Sequence, residues 1–170
     1  MKRFGMMVSL VLACSSQAAL AKNLNVVASF TVLADMAKQV GGEHVTVKSL
    51  VGPDGDPHSF EPSPQDSVAL SKADVVIVSG LGMEGWMDRR VSASGYKGKV
   101  IVASDGISTR KMIDDGKQIT DPHAWNSAEN GAIYAQNITR ALVAADPEDA
   151  EAINDTGSEY VIRLKLLDSW

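Results

Sequence analysis

The stretch that decides the fold is Ala73-Asp74-Val75-Val76-Ile77-Val78-Ser79-Gly80-Leu81-Gly82-Met83-Glu84-Gly85-Trp86. Four consecutive apolar residues, three of them Val, are too few for a helix and lack the alternation of a half-exposed strand. A short continuous apolar run of this kind fits a strand covered on both faces, as in a parallel sheet. The glycines that follow mark a turn, and the residues from Trp86 to Ser94 read as a helix.

Working outward, strands and helices alternate. Asn25 to Ser29 is a β-branched run. Val32, Leu33, Met36, Ala37 and Val40 recur at helical spacing until Gly41-Gly42 stops them. Val45 to Leu50 alternates as a second strand. Gly52 to Pro64 is a Gly-, Pro- and Asp-rich loop. Ser63 before Pro64 and Asp66 reads as an N-cap for a helix reaching Ser71. Lys99 to Ala103 is a fourth strand, and Asp105 to Asp121 reads as polar and irregular. Ile133, Ile138, Leu142 and Val143 place a helix within Ser127 to Ala145. Pro147-Glu148 opens another that carries Ile153, Tyr160, Leu164 and Leu167. The expected fold is therefore an α/β layered domain with a mainly parallel sheet and flanking helices. Ligands in such folds bind at loops beyond the carboxyl ends of the strands.

The 170 residues carry 16 basic and 21 acidic side chains, a net charge of -5, which speaks against nucleic acid as a partner. The single Cys excludes an internal disulfide and a cysteine-based zinc site. Residues 1–21 read as an export signal: Lys2 and Arg3, an apolar run from Phe4 to Cys14, and a small-x-small site at Ala19-Leu20-Ala21. The mature chain then starts at Lys22, in the periplasm. Val11-Leu12-Ala13-Cys14 also resembles a lipobox, which would make Cys14 a lipid anchor; the short leader and Leu12 weigh against it.

Two candidate sites compete. Gly80-Leu81-Gly82-Met83-Glu84-Gly85 is a G-x-G-x-x-G after a strand, with Asp105 about twenty residues further on, the spacing of a dinucleotide fingerprint. It would make the chain a Rossmann-like nucleotide-binding enzyme. Glu84 opposes that reading, because it brings a carboxylate to the place where pyrophosphate would sit. The second candidate is a repeated D-P-H-x-[FW]. Asp56-Pro57-His58 precedes Phe60, and Asp121-Pro122-His123 precedes Trp125. Proline stiffens each loop, the Asp two places upstream can orient the loop or the ring, and imidazole binds Zn, Mn, Fe and Cu. Two converging His make half of a metal site, and protons compete for it below about pH 6.5. His44 lacks this context and reads as a surface residue. A free-standing metal scavenger or chaperone that dimerises to complete its coordination is the further alternative.

These residues resemble those of the metal-binding substrate-binding proteins of bacterial zinc and manganese ABC importers. The matching pieces are Gly52 to Pro64, the strand with Gly80 to Trp86, and Thr120-Asp121-Pro122-His123-Ala124-Trp125. The resemblance runs from about Asn25 to the end of the sequence. It implies a Rossmann-like lobe at residues 22–146 and the start of a long connecting helix at 147–170, with the second lobe absent. It implies a non-enzymatic, periplasmic protein that captures a divalent metal ion, Zn or Mn, for a membrane permease, without nucleotide or nucleic acid. His58 and His123 carry over as ligands, while the two ligands of the second lobe have no counterpart. Zinc-specific members often carry a His-rich loop, and Asp105 to Asp121 contains no His.

Overall fold

Val75–Val78 is buried at every position and lies inside a four-stranded sheet, which is why its sequence shows no alternation. The computed structural model describes residues 23–170; the leader, Cys14 and the cleavage site lie outside the described residues. The order of elements is β1 (Leu24–Ala28), α1 (Thr31–Gly41), β2 (Val45–Ser49), α2 (Pro64–Ser71), β3 (Val75–Val78), α3 (Met87–Ser94), β4 (Val100–Val102), β5 (Lys111–Asp114), β6 (Lys117–Thr120), α4 (Ala128–Ala145) and α5 (Ala150–Asp168).

The main sheet has the order β2-β1-β3-β4, and all three pairings are parallel. Its edge strand β2 alternates between half-buried and exposed residues, as Val-Thr-Val-Lys-Ser does in sequence. The chain leaves β1 toward β2 and returns on the other side to β3. The strand order thus switches direction between β1 and β3, and a crevice at the carboxyl ends is expected there. Val26, Ala28, Val76 and Ile77 pack with Leu33, Val40, Leu70, Ile138, Leu142 and Ile153 in one core. Among the described residues no helix is long and apolar enough to cross a membrane.

The N-cap expected at Ser63 is present as a reciprocal pair. The Asp66 N–H bonds to Ser63 Oγ, and the Ser63 N–H donates to Asp66 Oδ2. Burial pushes the Asp66 pKa up, but the Lys48 ammonium at 2.9 Å and the two Ser63 donors outweigh it and hold the carboxyl below its ordinary value. A carboxyl with a lowered folded pKa stabilises the fold above the unfolded pKa, about 3.9. That contribution is lost as pH falls through the folded value. Replacing Asp66 with Ala is expected to cost about 1 kcal/mol at pH 7. Urea unfolding of variant and parent should show the gap at pH 7 and its narrowing at pH 3; an equal gap at both would refute the linkage.

Three expectations are corrected. Residues 111–120, expected to be irregular, form an antiparallel hairpin in which Lys111 pairs with Thr120 and Asp114 with Lys117. Asp115 and Gly116 at its tip have φ of 46° and 74°, the positive values that a two-residue type I′ turn demands. His44 is not a free surface group: its Nδ1 lies 2.9 Å from Asp149 Oδ2, and only 19% of its side chain is exposed. The final helix starts at Ala150, because Pro147 sits in the turn that reverses the chain after α4. Its buried seam is Ile153, Gly157 and Val161, with Tyr160 and Leu164 half-buried beside it. The uncovered large apolar residues of this helix are Ile162, Leu166 and Leu167.

Candidate metal centre

Each D-P-H loop is folded by its own aspartate. Asp56 Oδ1 accepts the backbone N–H of His58 at 2.9 Å, and its Oδ2 accepts Ser59 Oγ at 2.8 Å. Asp121 Oδ1 accepts the backbone N–H of His123 at 3.0 Å. In both the Asp bonds two residues ahead, a turn mimicked by a side chain. Accepting that backbone N–H is the main reason each carboxyl sits below its ordinary pKa. The Ser59 hydroxyl adds to it for Asp56, and the His123 ring for Asp121.

The loops then diverge. Asp121 Oδ1 also reaches His123 Nδ1 at 2.9 Å, which leaves Nε2 pointing away from the carboxylate. The two Asp56 oxygens are taken up within their own loop. The first His loop follows β2. The second follows the hairpin strand β6 rather than β4, so the hairpin is the arm that delivers it.

The two loops meet. His58 Nε2 and His123 Nε2 are 3.4 Å apart, and the rings face each other edge-on with centroids at 5.4 Å. Two imidazole nitrogens each at about 2.0–2.1 Å from one tetrahedral ion stand about 3.3 Å apart. The pair is therefore at the separation that two ligands of a single ion require. His58 is exposed and His123 half-buried. A cavity of about 210 Å³ opens beside His123, lined by Arg110, Asp121, Asn126 and Asn130 among others. Among the described residues, no group of three or more His, Cys, Asp or Glu could hold a metal ion.

The aromatic residues two places after each His pack the loops in place. Trp125 packs on Phe30 with centroids at 4.8 Å and on the His123 ring at 5.5 Å. Phe60 packs on Trp86 at 5.1 Å, and the Trp86 indole N–H donates to the Pro57 carbonyl at 2.7 Å. In the sequence Trp86 reads as the start of a helix and the end of a piece that carries the family resemblance. No local pattern signals its bond to a residue 29 positions earlier.

The glycine turn is closed on itself at its start. The Glu84 carboxylate, buried, accepts Ser29 Oγ at 2.5 Å, the Ser79 N–H at 2.7 Å and the Gly80 N–H at 3.0 Å. The Ser79 and Gly80 backbone donors are thus taken by the turn's own side chain. Ser79 Oγ also pairs with the buried Tyr134 hydroxyl at 2.8 Å, so the turn is anchored to β1, β3 and α4 together.

Comparison with known proteins gives a consistent result. A family model described as the periplasmic component A of the zinc-uptake complex, ZnuA, matches residues 26–170. An iron ABC transporter substrate-binding lipoprotein of Streptococcus pyogenes is 38% identical over 173 residues, covering 95% of this chain and 55% of its own length. A manganese ABC transporter substrate-binding lipoprotein of Streptococcus gordonii is 34% identical, with 92% and 54% covered. Among solved structures, a Mn-bound periplasmic metal-binding protein from Candidatus Liberibacter asiaticus superposes with a TM-score of 0.74. It is 31% identical and covers 81% of this chain and 52% of that one. A zinc-bound ZnuA deletion mutant reaches a TM-score of 0.81 at 27% identity, with 86% and 56% covered. The chain spans about half the length of the curated relatives it matches.

Proposed function

Because this chain belongs to the periplasmic zinc-uptake component A family, we propose that it captures a divalent transition metal ion, zinc or manganese, through His58 and His123. The observation that carries the reading is the 3.4 Å separation of the two Nε2 atoms, which one tetrahedral ion can bridge. Asp121 supports it, because a carboxylate on Nδ1 sets the tautomer that leaves Nε2 free for metal. In this reading the ion is cargo, gathered outside the cytoplasm after export of the chain and handed to the membrane permease of an ABC importer. Residues 22–146 act as a metal-binding lobe, and 147–170 as the start of the connecting helix that the family resemblance implies.

Titration of the chain with zinc chloride and with manganese chloride, followed by calorimetry, tests this. Full ligand sets give zinc sites about 10–16 kcal/mol. Two imidazoles with water in the other positions are expected to give about micromolar affinity or weaker, roughly 8 kcal/mol or less. Absence of binding at millimolar metal, or affinity that survives in the His58→Ala, His123→Ala double variant, would defeat the proposal.

A further inference from the structure

The two His loops are held in different ways. His123 is oriented by its own Asp121. Among the described residues no carboxylate bonds the His58 ring, and Asp56 instead holds the His58 backbone N–H and Ser59. The hydrogen bonds of residues 52–62 are otherwise local, as in Gly55 N–H to the Gly52 carbonyl. Apart from the pair of imidazoles, the bond from Trp86 Nε1 to the Pro57 carbonyl is the one that ties this loop to another part of the chain, among the described residues.

We propose that Trp86 is a positioning residue for His58: it fixes the Pro57 peptide and so presets the imidazole that follows for metal. This rests on the metal-capture reading above. Three observations support it. The bond falls on the carbonyl of the peptide that joins Pro57 to His58, so it fixes the backbone at the ligand itself. The indole ring also packs on Phe60, so the loop is held on both sides of His58. And Trp86 is itself buried and held in place, two residues after a Glu84 carboxylate bonded to three donors in the segments that follow β1 and β3. A ligand held by a rigid outer contact is preorganised, and the loss of such contacts typically costs about 10–100-fold in metal affinity.

Trp86→Phe keeps a ring against Phe60 and removes the N–H. In zinc chloride titrations it is expected to weaken binding about 10-fold, and to add nothing when His58 is already Ala. Unchanged affinity in Trp86→Phe, alongside a loss in His58→Ala, overturns the positioning role and leaves the metal site standing. A further loss of the same size in the His58→Ala background overturns it too, since Trp86 would then support the fold generally. Affinity unaffected by His58→Ala would instead sink the metal reading. In the unmodified protein, the Trp86 indole N–H should resist exchange with solvent by NMR, and rapid exchange would also overturn the proposal.

Discussion

Replacing His58 with Ala, or His123 with Ala, is expected to lower zinc affinity by at least about 100-fold each, above the 10–100-fold typical of an outer-shell partner. Each substitution removes one of the two imidazole nitrogens that meet at the site, and water is a poor replacement for imidazole on a borderline-soft ion. The His44→Ala variant is the control, because His44 also is an imidazole beside a carboxylate. Its Nδ1 pairs with Asp149 at 2.9 Å, and it precedes β2, at the opposite end of that strand from the His58 loop. Its loss is expected to leave zinc affinity unchanged while loosening the junction with α5. Calorimetric titration of the three single variants separates them. Equal losses in all three would show nonspecific imidazole binding and remove the paired loops from consideration.

Those two loops were legible in the sequence because their signal is chemical and repeated. D-P-H followed by an aromatic two places later does not depend on any long-range contact to be noticed. The central strand was legible for a related reason: Val75 to Val78 is apolar at every position, and only a strand covered on both faces accommodates that. What stayed hidden depends on partners far away in sequence. Glu84 reads as a charge that repels phosphate, but its bond to Ser29 crosses 55 residues and cannot be inferred locally. His44 looked like a surface group because Asp149 lies on another element. The hairpin at 111–120 is a different case. Asp115-Gly116 is a strong turn signal, yet its flanks, Lys-Met-Ile-Asp and Lys-Gln-Ile-Thr, are charged and largely exposed, so no buried face stamped an alternation on them. That segment carries Asp121 and His123 to the site, which makes an unremarkable polar stretch the structural arm of one ligand.

The packing of α5 against α4 sets the last expectation. Gly157 lies on the buried seam between Ile153 and Val161, facing Thr139 on α4. A methyl group added at Gly157 would fall 2.4 Å from Thr139 Oγ1 and 2.8 Å from its Cγ2, closer than real carbon contacts allow. Thr139 has little freedom to yield. It is buried, β-branched, and its hydroxyl donates to the Ala135 carbonyl at 2.8 Å. Gly157→Ala should therefore destabilise the chain by about 1–3 kcal/mol, the usual cost of overpacking. This runs against the roughly 1 kcal/mol that Ala ordinarily gains over Gly inside a helix. Thr139→Ala removes both offending atoms and leaves its Cβ at 3.1 Å, a contact that a shift of a few tenths of an ångström relieves. The double variant is expected to recover most of the loss in urea unfolding, a coupling that neither substitution alone predicts. Additive losses would mean that α5 does not cross α4 at Gly157 in solution. A Gly157→Ala variant as stable as the parent would say the same.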